Sequence, residues 1–187
     1  MKHGDLILVT DMQNVYTQGQ EWACLDTEGI SLKIADIAAV AKERGADVCL
    51  TRFMPPQTPE GTWKEYNKKY AGINANSWLN ELVPTVKELT QTFPVYDKSV
   101  YSSLSIPQIR EAARTATRVV LTGVVAECCV LWTAVDAIDL GCKVIYLTDA
   151  VSGFTRQKEE ATELIFEGLS PLHILMMNTE QYLGETD

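Results

Sequence analysis

The sequence contains no apolar run that approaches the length of a membrane-spanning helix. The apolar run nearest the N-terminus, residues 6–9, follows the charged Asp5 and is too short for the core of a signal peptide. We therefore expect a protein that has no membrane partner and a cytoplasmic location.

Clusters of positive charge are also missing. Lysine and arginine together number 16 against 25 aspartates and glutamates, the net charge is −9, and no segment is rich in basic residues. Such a surface repels nucleic acid and anionic lipid headgroups, because both carry dense negative charge. We expect a small molecule as the partner, and no nucleic acid.

The cysteines do not form the pattern of a disulfide framework. There are five, an odd number, at the irregular positions 24, 49, 128, 129 and 142. Small disulfide-stabilised domains usually carry an even number of cysteines at regular spacings. The thiols are therefore expected to stay reduced, in agreement with a cytoplasmic location.

Strands are predicted to alternate with helices along a single domain that covers residues 1–187. Short apolar runs rich in β-branched residues predict buried strands, and apolar residues at helical spacing predict amphipathic helices. The predicted strands are 5–10, 46–51, 92–96, 118–121, 143–148 and 172–176. The predicted helices are 29–44, a short one carrying Trp63, Tyr66 and Tyr70, 76–82, one capped by Ser105 that ends near Thr115, 130–140 and 157–167, followed by a polar tail over 178–187.

This alternation predicts an α/β fold, a three-layer α-β-α sandwich around a six-stranded, mainly parallel, Rossmann-like sheet. In the doubly wound strand order 3-2-1-4-5-6, strands one and four are neighbours where the winding reverses, and ligands bind in the crevice there. No G-x-G-x-x-G follows the first strand, where Asp11-Met12-Gln13-Asn14 stands instead. A dinucleotide site is therefore not expected, and we expect no cofactor.

The most informative stretch is the passage from strand four into the next helix, where Cys129 lies. A thiol at a helix N-terminus feels the positive end of the helix dipole, which favours the thiolate. Asp11 follows strand one and Lys98 follows strand three, so the expected strand order brings both towards the same crevice. A purely structural role for Cys128 and Cys129, as small core residues, stays open at this point.

Together these side chains could cleave an acyl bond. Asp11 can accept the thiol proton, Lys98 can stabilise the thiolate, and the backbone N–H groups of Val125 and Cys129 can bind an oxyanion. Taken singly they indicate little, because an aspartate after a strand is often a helix cap and a lysine is usually a surface charge.

The order of these residues resembles the isochorismatase-like cysteine hydrolases. The matching segments follow strands one, three and four and extend over nearly the whole chain: Asp11-x-Gln13, Lys98 with Tyr101-Ser102-Ser103, residues 123–130 with Thr133-Ala134 and Asp136-Ala137, and Asp149-Ala150. The resemblance implies that Cys129, not Cys128, is the nucleophile of a triad with Asp11 and Lys98. It also implies a cis peptide bond between Val124 and Val125, and a homo-oligomer.

The chain departs from this family at two places. Nicotinamidases of the superfamily carry a metal-binding Asp-x-His after strand two, where this chain has Phe53-Met54-Pro55. Its only histidines, His3 and His173, lie elsewhere, so we expect no metal site. Ala126-Glu127 stands where the family usually has Thr-Asp, which changes the surroundings of the nucleophile.

We predict a cysteine-dependent amidohydrolase that cleaves a C–N bond of a small amide, ureido or carbamoyl substrate through a thioester. In the resembling enzymes isochorismate cleavage breaks a vinyl ether without requiring a cysteine nucleophile, so the presence of Cys129 favours C–N bonds. An isochorismatase-type vinyl ether hydrolase stays open as an alternative. A non-catalytic binding or assembly protein on the same scaffold also stays open.

Several side chains near the predicted crevice are candidates for substrate binding. Gln13 and Asn14 could orient an amide, and Arg52 could bind a carboxylate. Gln13 could equally be a structural hydrogen-bonding residue, and Arg52 could equally lie on the surface. Aromatic side chains could form the wall of the pocket: Trp22, Trp63, Tyr66 and Tyr101.

Overall fold

A six-stranded parallel sheet organises the fold in a computed structural model that describes residues 4–185. The strands are β1 (Asp5–Thr10), β2 (Asp47–Phe53), β3 (Val95–Lys98), β4 (Arg118–Val124), β5 (Val144–Ser152) and β6 (Ile174–Met177). Their order is β3-β2-β1-β4-β5-β6, and all neighbouring pairs are parallel. This order confirms the predicted fold class and the predicted strand order.

The α-helices of the described residues connect these strands, and the bounds of several differ from the predictions. They are α1 (Thr27–Arg44), α2 (Trp63–Lys69), α3 (Ala71–Asn74), α4 (Ser77–Asn80), α5 (Pro84–Leu89), α6 (Pro107–Thr115), α7 (Leu131–Asp139), α8 (Arg156–Glu167) and α9 (Thr179–Gly184). No helix among residues 4–185 is long and apolar enough to cross a bilayer.

The sheet is covered on both faces, which explains why its central strands are apolar throughout. Every residue of β1 and β4 is buried. Ile7 packs in the layer with α1, α5 and α9, whereas Leu8 packs in the layer with α6, α7 and α8. A strand buried on both faces gains from apolar side chains at consecutive positions, so its sequence shows no alternation.

Two predicted boundaries were wrong for local reasons. Ser105 does not cap α6, because it lies in a 3-10 turn, Ser103–Ser105, and Ile106 precedes the first helical residue, Pro107. Strand three begins at Val95, three residues later than predicted, because Pro94 has no N–H to donate to a neighbouring strand. The strand lies at the sheet edge, as its proline indicated.

The polar tail contains a helix that hydrophobic patterning missed. Asn178 accepts a hydrogen bond from the Gln181 backbone N–H at 2.8 Å, and the Gln181 side chain accepts one from the Asn178 N–H at 2.9 Å. This reciprocal capping box satisfies two backbone donors at the start of α9. Residues 186–187 of the predicted tail lie outside the described residues.

Loss of this cap should have a small, measurable effect. We expect Asn178→Ala to lower the free energy of unfolding by about 1 kcal/mol, because the Gln181 N–H then loses its acceptor. Chemical denaturation measures the change. Asn178→Ser, which keeps a side-chain oxygen at the cap, should recover most of the loss, and an equal loss in both variants would contradict this account.

Candidate active site

The end of β1 holds Asp11 in an unusual backbone conformation. Its φ is 50°, a left-handed value that side-chain-bearing residues rarely adopt. Thr51 holds it from the neighbouring strand: the Asp11 N–H donates to the Thr51 carbonyl at 3.2 Å, and the Thr51 hydroxyl donates to Asp11 Oδ1 at 2.7 Å. These contacts fix the direction of the carboxylate, which is completely buried.

Gly123 allows β4 to approach β1 closely just before Asp11. Its φ is +96°, and a Cβ at this position would lie 2.2 Å from the Thr10 carbonyl oxygen. No side chain fits against a backbone atom at that distance, so only glycine is compatible with this approach. The close contact brings the segment after β4 to the same side of the sheet edge as Asp11.

Cys129 lies in a five-residue π-turn, Ala126–Val130, that joins β4 to α7. The Val125 carbonyl accepts from the Cys128 N–H at 3.0 Å and from the Val130 N–H at 3.2 Å. The Thr133 hydroxyl donates to the Cys129 carbonyl at 2.6 Å. The Val124–Val125 peptide bond, which the family resemblance implied to be cis, is cis in the structure.

The structure brings Asp11, Lys98 and Cys129 together. Lys98 Nζ lies 2.7 Å from Asp11 Oδ2 and 3.3 Å from Cys129 Sγ, and it donates a further hydrogen bond to the Val100 carbonyl at 3.1 Å. The side chains of Asp11 and Lys98 are fully buried, and Cys129 is 3% exposed. A buried ammonium so placed has a partner for each of its three N–H bonds.

Burial changes the charge that the sequence led us to expect on the thiol. It raises the pKa of Cys129 well above the ordinary thiol value, and the nearby Lys98 offsets only part of this increase. The pKa of Lys98 is raised although burial alone would lower it, because the Asp11 carboxylate and Cys129 favour the charged ammonium. The expectation that the helix N-terminus favours a thiolate is therefore wrong for the resting site, which holds a neutral thiol beside an ion pair.

One backbone donor beside the thiol has no protein partner. Within residues 4–185 the Val125 N–H donates to no protein group, and Val125 borders the cavity. Asp11 Oδ2 is engaged by Lys98 at 2.7 Å. A donor left free in this way is available to a ligand.

An open cavity of about 400 Å³ gives access to the site. Val125, Cys128 and Cys129 contribute to its lining. The remaining walls are mostly aromatic: Tyr16, Trp22, Phe53, Tyr66, Tyr70, Tyr101 and Phe154, with Glu21 and Ala23. A concave, largely apolar pocket with a few polar groups is typical of a small-molecule site.

Gln13 and Asn14, two of the predicted substrate-binding residues, do not line this cavity. The Gln13 side chain bridges β2 and α4, accepting from the Phe53 N–H at 2.7 Å and donating to the Asn80 carbonyl at 3.1 Å. The Asn14 side chain donates to the Trp78 carbonyl at 2.8 Å. Both are therefore structural hydrogen-bonding residues.

Arg52 is also placed away from the cavity. Its guanidinium binds Asp97 through two hydrogen bonds of 2.8 and 2.9 Å on the outer part of the sheet. Adjacent side chains of a strand point to opposite faces, so Arg52 points away from the Phe53 side chain that lines the cavity. Arg52 therefore lies outside the cavity beside Cys129 and has the surface role that the sequence left open.

The aromatic candidates divide between the cavity wall and a second layer. Tyr101, Trp22 and Tyr66 line the cavity, whereas Trp63 packs behind it with its ring centroid 5.2 Å from that of Tyr101. Sequence reasoning missed Tyr16, Glu21, Phe53 and Phe154 as lining residues. The short distance of Tyr16 from Asp11 along the chain could have indicated it, whereas Phe154 depends on the path of the loop after β5.

No described segment offers the ligands of a metal site. Among residues 4–185 no group of three or more His, Cys, Asp or Glu side chains could hold an ion. At the position of the nicotinamidase ligands, the Phe53 ring lines the cavity and the Met54 N–H donates to the Lys98 carbonyl at 2.8 Å. These residues do not fit a metal. His3 lies outside the described residues.

The fold and the site together define a doubly wound α/β protein whose switch-point crevice holds a cysteine, a lysine and an aspartate in contact. The sequence profile of the isochorismatase domain matches residues 5–172. The chain therefore belongs to the isochorismatase family of hydrolases. No match was found among curated protein sequences.

Solved structures share the fold over almost the full chain. An isochorismatase family protein from Desulfovibrio vulgaris superposes with a TM-score of 0.81 at 20% identity, covering 97% of each chain. A pyrazinamidase/nicotinamidase from Streptococcus mutans gives 0.73 at 21% identity, covering 91% of this chain and 99% of that one. A MAR1 ribonuclease from Caenorhabditis elegans gives 0.74 at 22% identity, covering 96% and 79%. At these identities the likeness establishes the shared fold.

Proposed function

We propose that the protein is a cysteine-dependent amidohydrolase that cleaves a C–N bond of a small amide, ureido or carbamoyl substrate. The observation that carries this proposal is the contact of Cys129 Sγ with Lys98 Nζ at 3.3 Å, with Asp11 2.7 Å from the same nitrogen, beside an open cavity. A nucleophile, a proton acceptor and a cation in contact form the set that acyl transfer requires.

Asp11 acts as the base in the first step. Its Oδ2 takes the proton of the Cys129 thiol as the sulfur attacks the substrate carbonyl carbon, forming a C–S bond and a tetrahedral oxyanion. The neutral resting thiol fits this order, because proton transfer then accompanies attack and does not precede it. Lys98 stabilises the negative charge that moves between the carboxylate and the sulfur.

The oxyanion is bound by the backbone N–H groups of Val125 and Cys129. The Val125 N–H is free of protein partners within residues 4–185 and borders the cavity. When the intermediate collapses, the C–N bond breaks and the departing nitrogen takes the proton from Asp11, leaving a thioester on Cys129. Water, deprotonated by Asp11, then attacks the thioester, and the released sulfur recovers the proton.

The alternatives are a vinyl ether hydrolase and a non-catalytic binding protein. Ether hydrolysis does not need a nucleophilic sulfur, whereas this site places Cys129 in contact with both charged partners. In a binding protein the buried Asp11–Lys98 pair would take part in no reaction. It would then serve only stability, because removing one partner of a buried ion pair destabilises any fold. Three expectations remain predictions: small-molecule binding, a homo-oligomer and a cytoplasmic location. All five cysteines are free thiols.

Mass spectrometry of the intact protein tests the proposed reaction. We expect that mixing with a panel of small amides, ureides and carbamoyl compounds, followed by rapid acid quenching, yields a protein mass increased by one acyl group, together with release of ammonia or an amine. Fragmentation should place the added mass on Cys129. Hydrolysis that proceeds without acylation of any cysteine would indicate direct attack by water and would refute the nucleophilic role of Cys129. No reaction across the panel would favour a vinyl ether hydrolase or a binding protein, and assay with a vinyl ether substrate would distinguish these two.

A further inference from the structure

The charge of the cavity lining distinguishes between substrates that the sequence could not rank. Among residues 4–185, no lysine, arginine or histidine lines the cavity, and its one carboxylate is Glu21. Lys98 lies beneath it, fully buried and paired with Asp11 at 2.7 Å. The ion pair leaves no net positive charge facing a ligand, so a substrate carboxylate would find no counter-ion here.

Neighbouring cations do not change this balance. Lys158 lies 4.9 Å from the centroid of the Phe154 ring, but it pairs with Glu127 at 3.4 Å and does not line the cavity. Lys69 Nζ lies 5.0 Å from the centroid of the Tyr70 ring, but Lys69 is exposed and does not line the cavity. Arg52 pairs with Asp97 on another part of the surface. An anion entering the cavity would therefore lose hydration without gaining a cationic partner.

The polar groups that do face the cavity are phenols. Four tyrosines line it, Tyr16, Tyr66, Tyr70 and Tyr101, and none of their hydroxyls hydrogen-bonds to another residue in the described part of the chain. Burial raises the pKa of Tyr16 and Tyr66 well above the ordinary tyrosine value, and Cys129 adds to the shift in both. Both phenols therefore stay protonated, and they can donate to a neutral acceptor such as an amide or ureide carbonyl.

We propose that this cavity selects uncharged amides and ureides, and that it rejects substrates that carry a carboxylate, such as carbamoyl acids. The selection follows from phenol hydroxyls without protein partners, a carboxylate at Glu21 and the absence of a cationic side chain from the described lining. It deepens the proposed function and rests on it, because it takes Cys129 as the reacting group at the end of the cavity.

Alkylation of Cys129 tests this selection without requiring turnover. Iodoacetamide and iodoacetate have nearly the same size and differ by one negative charge, so the ratio of their rates at Cys129, divided by the ratio at glutathione, reports the local preference. Peptide fragmentation distinguishes Cys129 from Cys128. We expect the normalised ratio to favour iodoacetamide at least tenfold. Equal rates, or a preference for iodoacetate, would overturn the proposal.

A charge reversal at the cavity distinguishes a local effect from the net charge of the protein. Glu21 is exposed, so Glu21→Lys should fold, and it should reduce the preference for iodoacetamide at least threefold. Glu43→Lys makes the same change in net charge on an exposed position of α1 that does not line the cavity, and it should leave the ratio unchanged. Equal effects of both variants would show that general repulsion, not the cavity, sets the preference.

Failure of this proposal and failure of the hydrolase proposal give different results. If the alkylation ratio favours iodoacetamide but no amide is hydrolysed, the cavity selects uncharged ligands and the chemistry is wrong. If amides are hydrolysed through Cys129 but iodoacetate reacts as readily as iodoacetamide, the chemistry stands and the substrate class is wrong.

Discussion

Replacement of Cys129 by alanine should lower the rate of amide hydrolysis by a factor of about 10⁴ or more, because the sulfur forms the bond to the substrate carbonyl carbon. Oxyanion donors and binding alone would supply the remaining rate over the uncatalysed reaction. The fold should persist, since the lost group is small, although alanine leaves the Asp11–Lys98 pair with one contact fewer. Ammonia release under saturating substrate measures the effect, and circular dichroism verifies folding.

Cys142→Ala is the matched control for this variant. Cys142 is a half-buried free thiol before β5 whose sulfur contacts the Ala113 carbonyl at 3.3 Å, and it does not line the cavity. We expect nearly full turnover from this protein. Full activity in Cys129→Ala would refute a nucleophilic role, and activity that survives in Cys129→Ala but disappears in Cys128→Ala would move the nucleophile to the neighbouring thiol.

The strand order and the meeting of Asp11, Lys98 and Cys129 could be predicted from the sequence, because each of these residues lies at or shortly after the end of a strand. Asp11 directly follows an apolar strand, and Lys98 is the last residue of β3. Parallel strands place their carboxyl ends at one edge, so the strand order alone brings such residues together. Cys129 follows β4 by five residues, and the π-turn is compact enough that this logic still applies.

The substrate-binding predictions for Gln13, Asn14 and Arg52 failed because a position near the site along the chain does not determine where a side chain points. Gln13, Asn14 and Arg52 all lie within three residues of a residue in contact with the cavity or the triad, yet each side chain points to a backbone carbonyl or a carboxylate elsewhere. Gln13 and Asn14 lie in a loop, where the face that a side chain occupies depends on the local backbone, here the left-handed turn at Asp11. A periodicity argument carries no information about such a turn. Arg52 lies within β2, where the alternation of side chains along the strand directs it away from the cavity.

The protonation state of Cys129 was also beyond the sequence. A helix dipole and a nearby lysine predict a lowered thiol pKa. Burial raises the pKa, and its extent depends on the whole packed structure. With Cys129 3% exposed, burial is the largest influence and raises the pKa. The short helix α5 was missed for a simpler reason: it begins at Pro84, and proline is favoured at a first helical position although it interrupts a helix elsewhere.

A second buried ion pair lies at the amino ends of the two central strands, whereas the active site lies at their carboxyl ends. We expect this pair to contribute strongly to stability. Arg118 at the start of β4 donates to both carboxylate oxygens of Asp5 at 2.9 and 2.7 Å, and to Glu185 at 2.7 Å. Asp5 is fully buried and also accepts from the Tyr182 hydroxyl at 2.9 Å. The network ties α9 to the amino ends of the two central strands.

We expect Arg118→Met to lower the free energy of unfolding by about 3–5 kcal/mol, because the buried Asp5 carboxylate loses the guanidinium that donates to both of its oxygens. Arg52→Met is the matched control. It removes the same kind of bidentate arginine–aspartate pair, but from a site where the side chains are 33% and 49% exposed, so the loss should stay below about 1 kcal/mol. Urea denaturation of both variants measures the difference.

The double variant Asp5→Asn with Arg118→Met decides whether the loss comes from breaking the ion pair. Removing both charges should recover part of the stability that Arg118→Met alone removes, since the buried carboxylate is gone while the Tyr182 hydroxyl keeps an oxygen to donate to. If the double variant instead loses as much free energy of unfolding as Asp5→Asn and Arg118→Met lose in sum, the two side chains do not act as a pair. In that case the contact of the guanidinium with the Tyr182 ring, whose centroid lies 5.6 Å from the guanidinium carbon, accounts for the stabilisation.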